Sequence, residues 1–246
     1  MTPSPVEPPL SAREAYRLWA DGYEGETAVS AMEARAVAGV TPPLAGLSLL
    51  DAGCGTGRRL RAVADETRLA VGADLVPEML AAGARAARSG AQSGLAPARP
   101  VVQATRPVVV SGDVRELPFP ARLFDILWCR LVLGHVPALE PAYEELGRVA
   151  RPGGILVVSD FHPAAAAAGH RRTFRDGDGR VREVVHHGHD LAGHERAAKQ
   201  AGWALEATLD VEPGPQERVF WERAGRAGDY EEQQHLPLVL VMLFSC

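Results

Sequence analysis

The chain is poor in cysteine, almost without lysine, and has no apolar run long enough to cross a bilayer. Its 246 residues hold three cysteines, Cys54, Cys129 and Cys246, far apart in sequence. That number and spacing offer neither a disulfide framework nor a CxxC metal pair, so a reducing cytoplasm is the expected compartment. The first ten residues, MTPSPVEPPL, lack a basic n-region and an apolar h-region and do not read as a secretory signal. The longest apolar run, LPLVLVMLF, is too short to span a membrane and reads as a strand. A basic excess is missing too, since the formal net charge is −5. Phosphate backbones are held by clustered Lys and Arg, so nucleic acid is not expected as a partner. Lys199 is the only lysine among 26 basic residues, which we read as coding bias.

What is present suits one large α/β domain with a covered core, for the hydrophobic fraction is an ordinary 46%. A proline-rich tail over 1–10 precedes a single domain over 11–246, with a helical lid at 11–40 and an insertion at 161–190. Ser11 and Glu14 form an S-x-x-E capping box that opens a helix. A second helix is expected over Thr27 to Ala38. Strands then alternate with helices: LSLLDAG, RLAVGADL, PVVVSGD, LFDILWCRLV and ILVVSDF are the strands, and TGRRLRAVADET, PEMLAAGARAAR and ALEPAYEELGRVA are helices between them. Residues 89–106 read as a long loop. Such alternation means a parallel sheet with helices on both faces. The last two strands, WALEATLDV and LPLVLVMLF, have no clear helix between them and are expected to pair antiparallel.

The stretch LLDAGCGTGRRL places a glycine loop between a buried strand and a helix, where bare amides meet a ligand. Gly53, Gly55 and Gly57 are spaced G-x-G-x-G. A dinucleotide loop reads G-x-G-x-x-G, and Arg58 stands where its third glycine falls. Asp74 ends the second strand, where a ribose-binding carboxylate belongs. Asp113 ends the third, within reach of an adenine amino group. Three successive strand ends thus carry Asp51 with the loop, Asp74 and Asp113.

These segments, with VGADLVPEML, SGDVRELPFPARLFDILWCRLVLGHV and RVARPGGILVVSD, resemble the class I S-adenosylmethionine-dependent methyltransferases, closest to the small-molecule, quinone-methyltransferase-like group (type 11). YRLWADGYEG resembles that group's lid. The resemblance covers about residues 16–160. It implies a Rossmann-like, doubly wound seven-stranded sheet, mostly parallel with the last strand antiparallel. It also implies S-adenosyl-L-methionine as cofactor, a small-molecule methyl acceptor, and a monomer or homodimer. The roles it implies are these. Gly53, Cys54, Gly55 and Gly57 take the methionine part, with Asp51 behind the loop. Asp74 binds the ribose, Leu75 and Met79 lie by the adenine, and Asp113 and Val114 hold its edge. Cys129 and Arg130 lie near the sulfonium, and Tyr23 closes over the cofactor.

His135 in LGHVP and His162 in SDFHP follow the fourth and fifth strands and are the candidate general bases, with Asp160 as a third. His162 is expected to touch both acceptor and lid. The cluster His186, His187, His189 and His194 has no partner at a recognised metal-ligand spacing and reads as a solvated or substrate-facing loop, so no metal is expected. Arg171, Arg172 and Arg175 with His170 form a basic patch that is a solvated face or a contact for an anionic substrate. Two further readings stay open: an NAD(P)-dependent oxidoreductase, and a methyltransferase-fold protein that binds the cofactor without methylating.

Overall fold

A computed structural model describes residues 7–89 and 106–246. The elements in chain order are α1 (Ala12–Trp19), α2 (Ala28–Val40), β1 (Ser48–Ala52), α3 (Arg58–Val63), β2 (Leu69–Asp74), α4 (Pro77–Ser89), β3 (Val108–Ser111), β4 (Phe124–Arg130), α5 (Glu140–Val149), β5 (Ala150–Phe161), α6 (Pro163–Ala167), β6 (Thr173–Arg175), β7 (Val181–Glu183), α7 (Leu191–Gln200), β8 (Ala204–Val211), α8 (Arg218–Arg223), α9 (Ala227–Gln233) and β9 (Val239–Ser245). Seven strands form one sheet in the order β3-β2-β1-β4-β5-β9-β8. The first five are parallel neighbours, and β9 runs antiparallel to both β5 and β8. The expected fold class is therefore the observed one. Most of the long loop expected over 89–106, and most of the tail expected over 1–10, lie outside the described residues.

Strand alternation sends side chains into two cores. Leu50, Leu127, Cys129, Leu156 and Val158 meet α5 and α7 on one face. Leu49, Ile126, Trp128 and Val157 meet α2 on the other, together with Trp221 and Tyr230. Those two aromatics belong to α8 and α9, which occupy the segment where no helix is expected. Both helices are short, six and seven residues, and their pattern is too brief to stand out.

The lid starts as the capping box predicts: Ser11 caps α1 by accepting from the Glu14 amide, and Glu14 accepts from Ser11 in return. The insertion packs on the lid. Its β6–β7 hairpin buries Phe174 and Val184 against Ala15 of α1. Phe174 also stacks on Trp19 at 5.2 Å. Leu10, assigned to the tail, bridges to Val184, and its backbone bonds Glu183 and Val185. Lid and insertion are thereby one packed unit over the carboxyl edge of the sheet.

Candidate active site

A cleft opens at that edge. It brings together Tyr16, Tyr23, Gly53, Gly55, Asp74, Leu75, Met79, Asp113, Val114, Arg130 and His135. Nine of the cofactor-side residues expected from sequence therefore share one cavity.

The glycine loop turns back over the end of β2. Gly53 and Cys54 both donate their amides to the Ala73 carbonyl, at 2.7 and 3.0 Å. The Gly55 amide donates to Asp74 Oδ2 at 2.7 Å, and the Val76 amide to Asp74 Oδ1 at 2.9 Å. At Gly53 φ is +83°, and a Cβ would lie 2.2 Å from Val132 Cγ2. At Gly55 φ is +59°, and a Cβ would lie 3.2 Å from Met79 Cε. No side chain fits at Gly53 without moving Val132, which explains the bare backbone. Asp51, Cys54 and Gly57 do not line the cleft; they support the loop from behind. Cys54 fills the space over Gly72, and Gly57 caps α3 in a left-handed conformation.

Beneath the loop lies a buried charge network. Arg130 grips Glu33 with a two-pronged contact, Nε to Oε1 at 2.7 Å and Nη2 to Oε2 at 2.8 Å. Arg59 reaches the same carboxylate at 2.9 Å, and the Ser159 hydroxyl donates to Oε1 at 2.8 Å. Burial raises the pKa of Glu33, but Arg130, Arg59 and these hydrogen bonds outweigh it and hold the group at about 2. Asp51 behaves in the opposite way. Burial lifts it to about 6, against the pull of Arg130 and Arg59. Neither Glu33 nor Arg59 is foreseen from sequence. The signal was there in α2, where Glu33 shares a buried stripe with Met32, Ala36 and Val37.

Cys129 is a correction. Alternation along β4 sends Arg130 to the cleft side and Cys129 to the opposite core, where it is fully buried and away from the cleft. His162 is a second correction. Its Nδ1 accepts from the Ala164 amide at 3.0 Å, capping α6, and its Nε2 lies 3.1 Å from Asp210 Oδ1 on β8. The ring is therefore spent on the β8 end of the sheet and does not line the cleft.

His135 does line it. Its Nδ1 lies 3.2 Å from the Val185 carbonyl, which only accepts, so Nδ1 carries the hydrogen. The neutral ring then offers Nε2 as acceptor, and the Tyr16 hydroxyl donates to it at 3.0 Å. Burial, then Arg172, pushes His135 down to about 3. Of the clustered histidines, His186, His189 and His194 are held by the fold and are not a solvated loop. His194 is buried, with Nδ1 2.9 Å from the Tyr143 hydroxyl and Nε2 3.5 Å from Asp160 Oδ2. His186 faces Asp160 Oδ1 at 3.4 Å, and His189 Nε2 donates to the Val136 carbonyl at 2.9 Å. Asp160, itself buried, anchors the insertion's return segment to β5.

The cleft fits a nucleoside carrying an amino-acid tail. Asp74 and Asp113 supply acceptors for hydroxyl and amino hydrogens, between apolar walls of Leu75, Met79 and Val114. Two buried polar atoms at the loop, Thr56 Oγ1 and Arg59 Nε, have no hydrogen-bond partner among the described residues. Burial raises the pKa of Asp74, which the Val76 and Gly55 amides partly offset. Asp113 is lowered by its contact with Arg115, whose Nη2 donates to Oδ2 at 2.6 Å.

Comparisons with known proteins agree with this geometry. Residues 50–158 match a family model described as a methyltransferase domain. The chain is 28% identical over 235 residues to a 27-O-demethylrifamycin SV methyltransferase of Amycolatopsis mediterranei, covering 89% of this chain and 79% of that protein. It is 30% identical over 145 residues to a malonyl-[acyl-carrier protein] O-methyltransferase of Serratia marcescens, covering 59% of this chain and 50% of that one. Among solved structures, an S-adenosylmethionine-dependent methyltransferase from Mesorhizobium loti superposes with TM-score 0.64 at 22% identity, over 89% of this chain and all of that one. The [4+2]-cyclase SpnF gives TM-score 0.64 at 23% identity, over 98% and 97% of the two chains. At such identities the structures share the fold alone. With the loop, the strand-end acids and the matched family model together, residues 50–158 are identified as a class I S-adenosylmethionine-dependent methyltransferase domain.

Proposed function

We propose that the protein, as one domain over 11–246, transfers a methyl group from S-adenosylmethionine to a small organic acceptor. The observation that carries this reading is the shared cleft, in which the glycine loop, Asp74 and Asp113 face Tyr16, Tyr23 and His135. When bound, the cofactor supplies a sulfonium-activated methyl group, so the difficult chemistry is its own. The chain's residues bind, orient and exclude water. Asp74 takes the ribose hydroxyls, Asp113 and Val114 the adenine edge, and Leu75 and Met79 its faces. Gly53 and Gly55 admit the amino-acid tail, and Tyr23 closes over the loop.

The acceptor sits against the lid, at the turn carrying His135. Holding an acceptor atom about 3–3.5 Å from the methyl and in line with it is the main contribution of the protein. His135 is a weak base, held neutral with its acceptor nitrogen occupied by Tyr16. Its role is to fix the Tyr16 hydroxyl at the acceptor wall. Calorimetry with S-adenosylhomocysteine and with NADH tests the cofactor assignment, with binding expected for the first only. Release of S-adenosylhomocysteine across an acceptor panel separates methyl transfer from cofactor binding alone. Tight NADH binding without S-adenosylhomocysteine binding overturns the reading.

A further inference from the structure

Arg172 stands just before β6 in the insertion and is half-buried. Several other arginines have carboxylates. Arg171 reaches Glu183 at 3.6 Å and Arg182 reaches Glu7 at 2.9 Å. Arg130 and Arg59 share Glu33. Among the described residues Arg172 has no carboxylate partner. Its guanidinium makes one hydrogen bond there, from Nη2 to the Tyr16 hydroxyl oxygen at 3.2 Å.

Tyr16 lines the cleft, and its own hydrogen is committed to His135 Nε2. The phenol oxygen therefore meets Arg172 with lone pairs only. The other charged group that bears on Arg172 is Asp160, already engaged by His186 and His194. A guanidinium drawn partly out of water without a counter-ion is costly, unless a ligand brings the charge. Its planar fork matches carboxylate and phosphate oxygens.

We infer that Arg172, positioned by the Tyr16 hydroxyl oxygen, anchors a carboxylate-type anion on the methyl acceptor. The inference rests on the methyltransferase reading and adds the substrate class to it. It also accounts for the weak base nearby: an acceptor that already bears negative charge has little need of proton removal.

The test is calorimetry on protein saturated with S-adenosylhomocysteine, using acetate, benzoate and hexanoate as probes, each beside its primary amide. At least one carboxylate should bind about tenfold or more tighter than its amide, the worth of a charge-assisted bond. Arg172→Gln should abolish that preference and leave S-adenosylhomocysteine affinity unchanged. Arg172→Lys should restore part of it, and Tyr16→Phe, which keeps the ring against Trp19, should weaken it less. Thermal melts confirm that each variant is folded. Equal binding of acids and amides, or no binding of any carboxylate at millimolar concentration, overturns the proposal. So does an Arg172→Gln variant that loses S-adenosylhomocysteine affinity but keeps the carboxylate preference, because Arg172 then serves the cofactor's own carboxylate. Failure of wild type to bind S-adenosylhomocysteine would sink the methyltransferase reading instead, and the same titration on ligand-free protein then decides the role of Arg172.

Discussion

The cofactor half of the cleft and its acceptor half are joined over very different distances along the chain. Around the loop the bonds are local: Gly53 and Cys54 to Ala73, and Gly55 to Asp74, 19 residues away. Across the acceptor half they are long. Tyr16 meets His135 over 119 residues, and Arg172 meets Tyr16 over 156. The first half is held by backbone groups that parallel strands bring together in any member of the fold. The second depends on which side chains the lid and insertion carry. Catalysis by a cofactor needs the first to be constant, while under the proposed function acceptor choice resides in the second.

The largest effect is expected where the halves meet, at Glu33. Glu33→Gln removes the charge that two buried guanidiniums share. Breaking a buried pair typically costs about 3–5 kcal/mol. For a chain of this size that lowers the melting temperature by about ten degrees. Differential scanning calorimetry measures it, and an unchanged transition would show that the two halves do not share this base.

Within the cofactor half, Asp74→Ala should weaken S-adenosylhomocysteine binding more than Asp113→Ala does. Asp74 holds two amides of the loop region as well as facing the cleft. Losing charge-assisted bonds at about 1.5–3 kcal/mol each means a tenfold to hundredfold loss. Asp113 is more exposed and already forked by Arg115, so its loss is smaller. Titration calorimetry giving equal affinities for the two variants removes Asp74 from the ribose role.

The same contrast sets what the sequence could tell. Strand order, the loop and the acids at strand ends were legible because each follows from local pattern and a fixed crossover rule. The partner of Arg130 was not, because Glu33 lies 97 residues away. Cys129 was misplaced because adjacent strand residues point to opposite faces, so it and Arg130 never share a site. His162 lies at the right strand end, but the chain turns there into α6 and uses the ring as a cap. The meeting of Tyr16 with Arg172 left no periodic or spacing signal at all.

Acid should act on the two halves in opposite directions. Asp51 is raised to about 6 from 3.8, so the folded state binds its proton more readily than the unfolded chain. Its contribution is complete below the unfolded value and is lost as pH rises through about 6. His135 is lowered to about 3 from 6.5, so its contribution is present above 6.5 and fades as pH falls towards 3. Between neutrality and mild acid the two oppose each other. Asp51→Asn should therefore steepen the loss of stability on acidification, and His135→Asn should flatten it. Chemical denaturation of both variants across that pH range checks the signs, and parallel curves would contradict the opposition.

The smallest effect is expected at His162. Both ring nitrogens are used outside the cleft, one on the Ala164 amide and one on Asp210. His162→Ala therefore removes a helix cap and a link to β8, worth about 0.5–1 kcal/mol together. Turnover and S-adenosylhomocysteine affinity should stay at the wild-type level once an acceptor is in hand. His135→Ala should lower turnover, because Tyr16 loses the nitrogen that orients its hydroxyl. Measuring kcat for both variants against the same acceptor sharpens the division between the halves. A tenfold fall for His162→Ala with an intact melting temperature would return that ring to the chemistry and break the boundary drawn here.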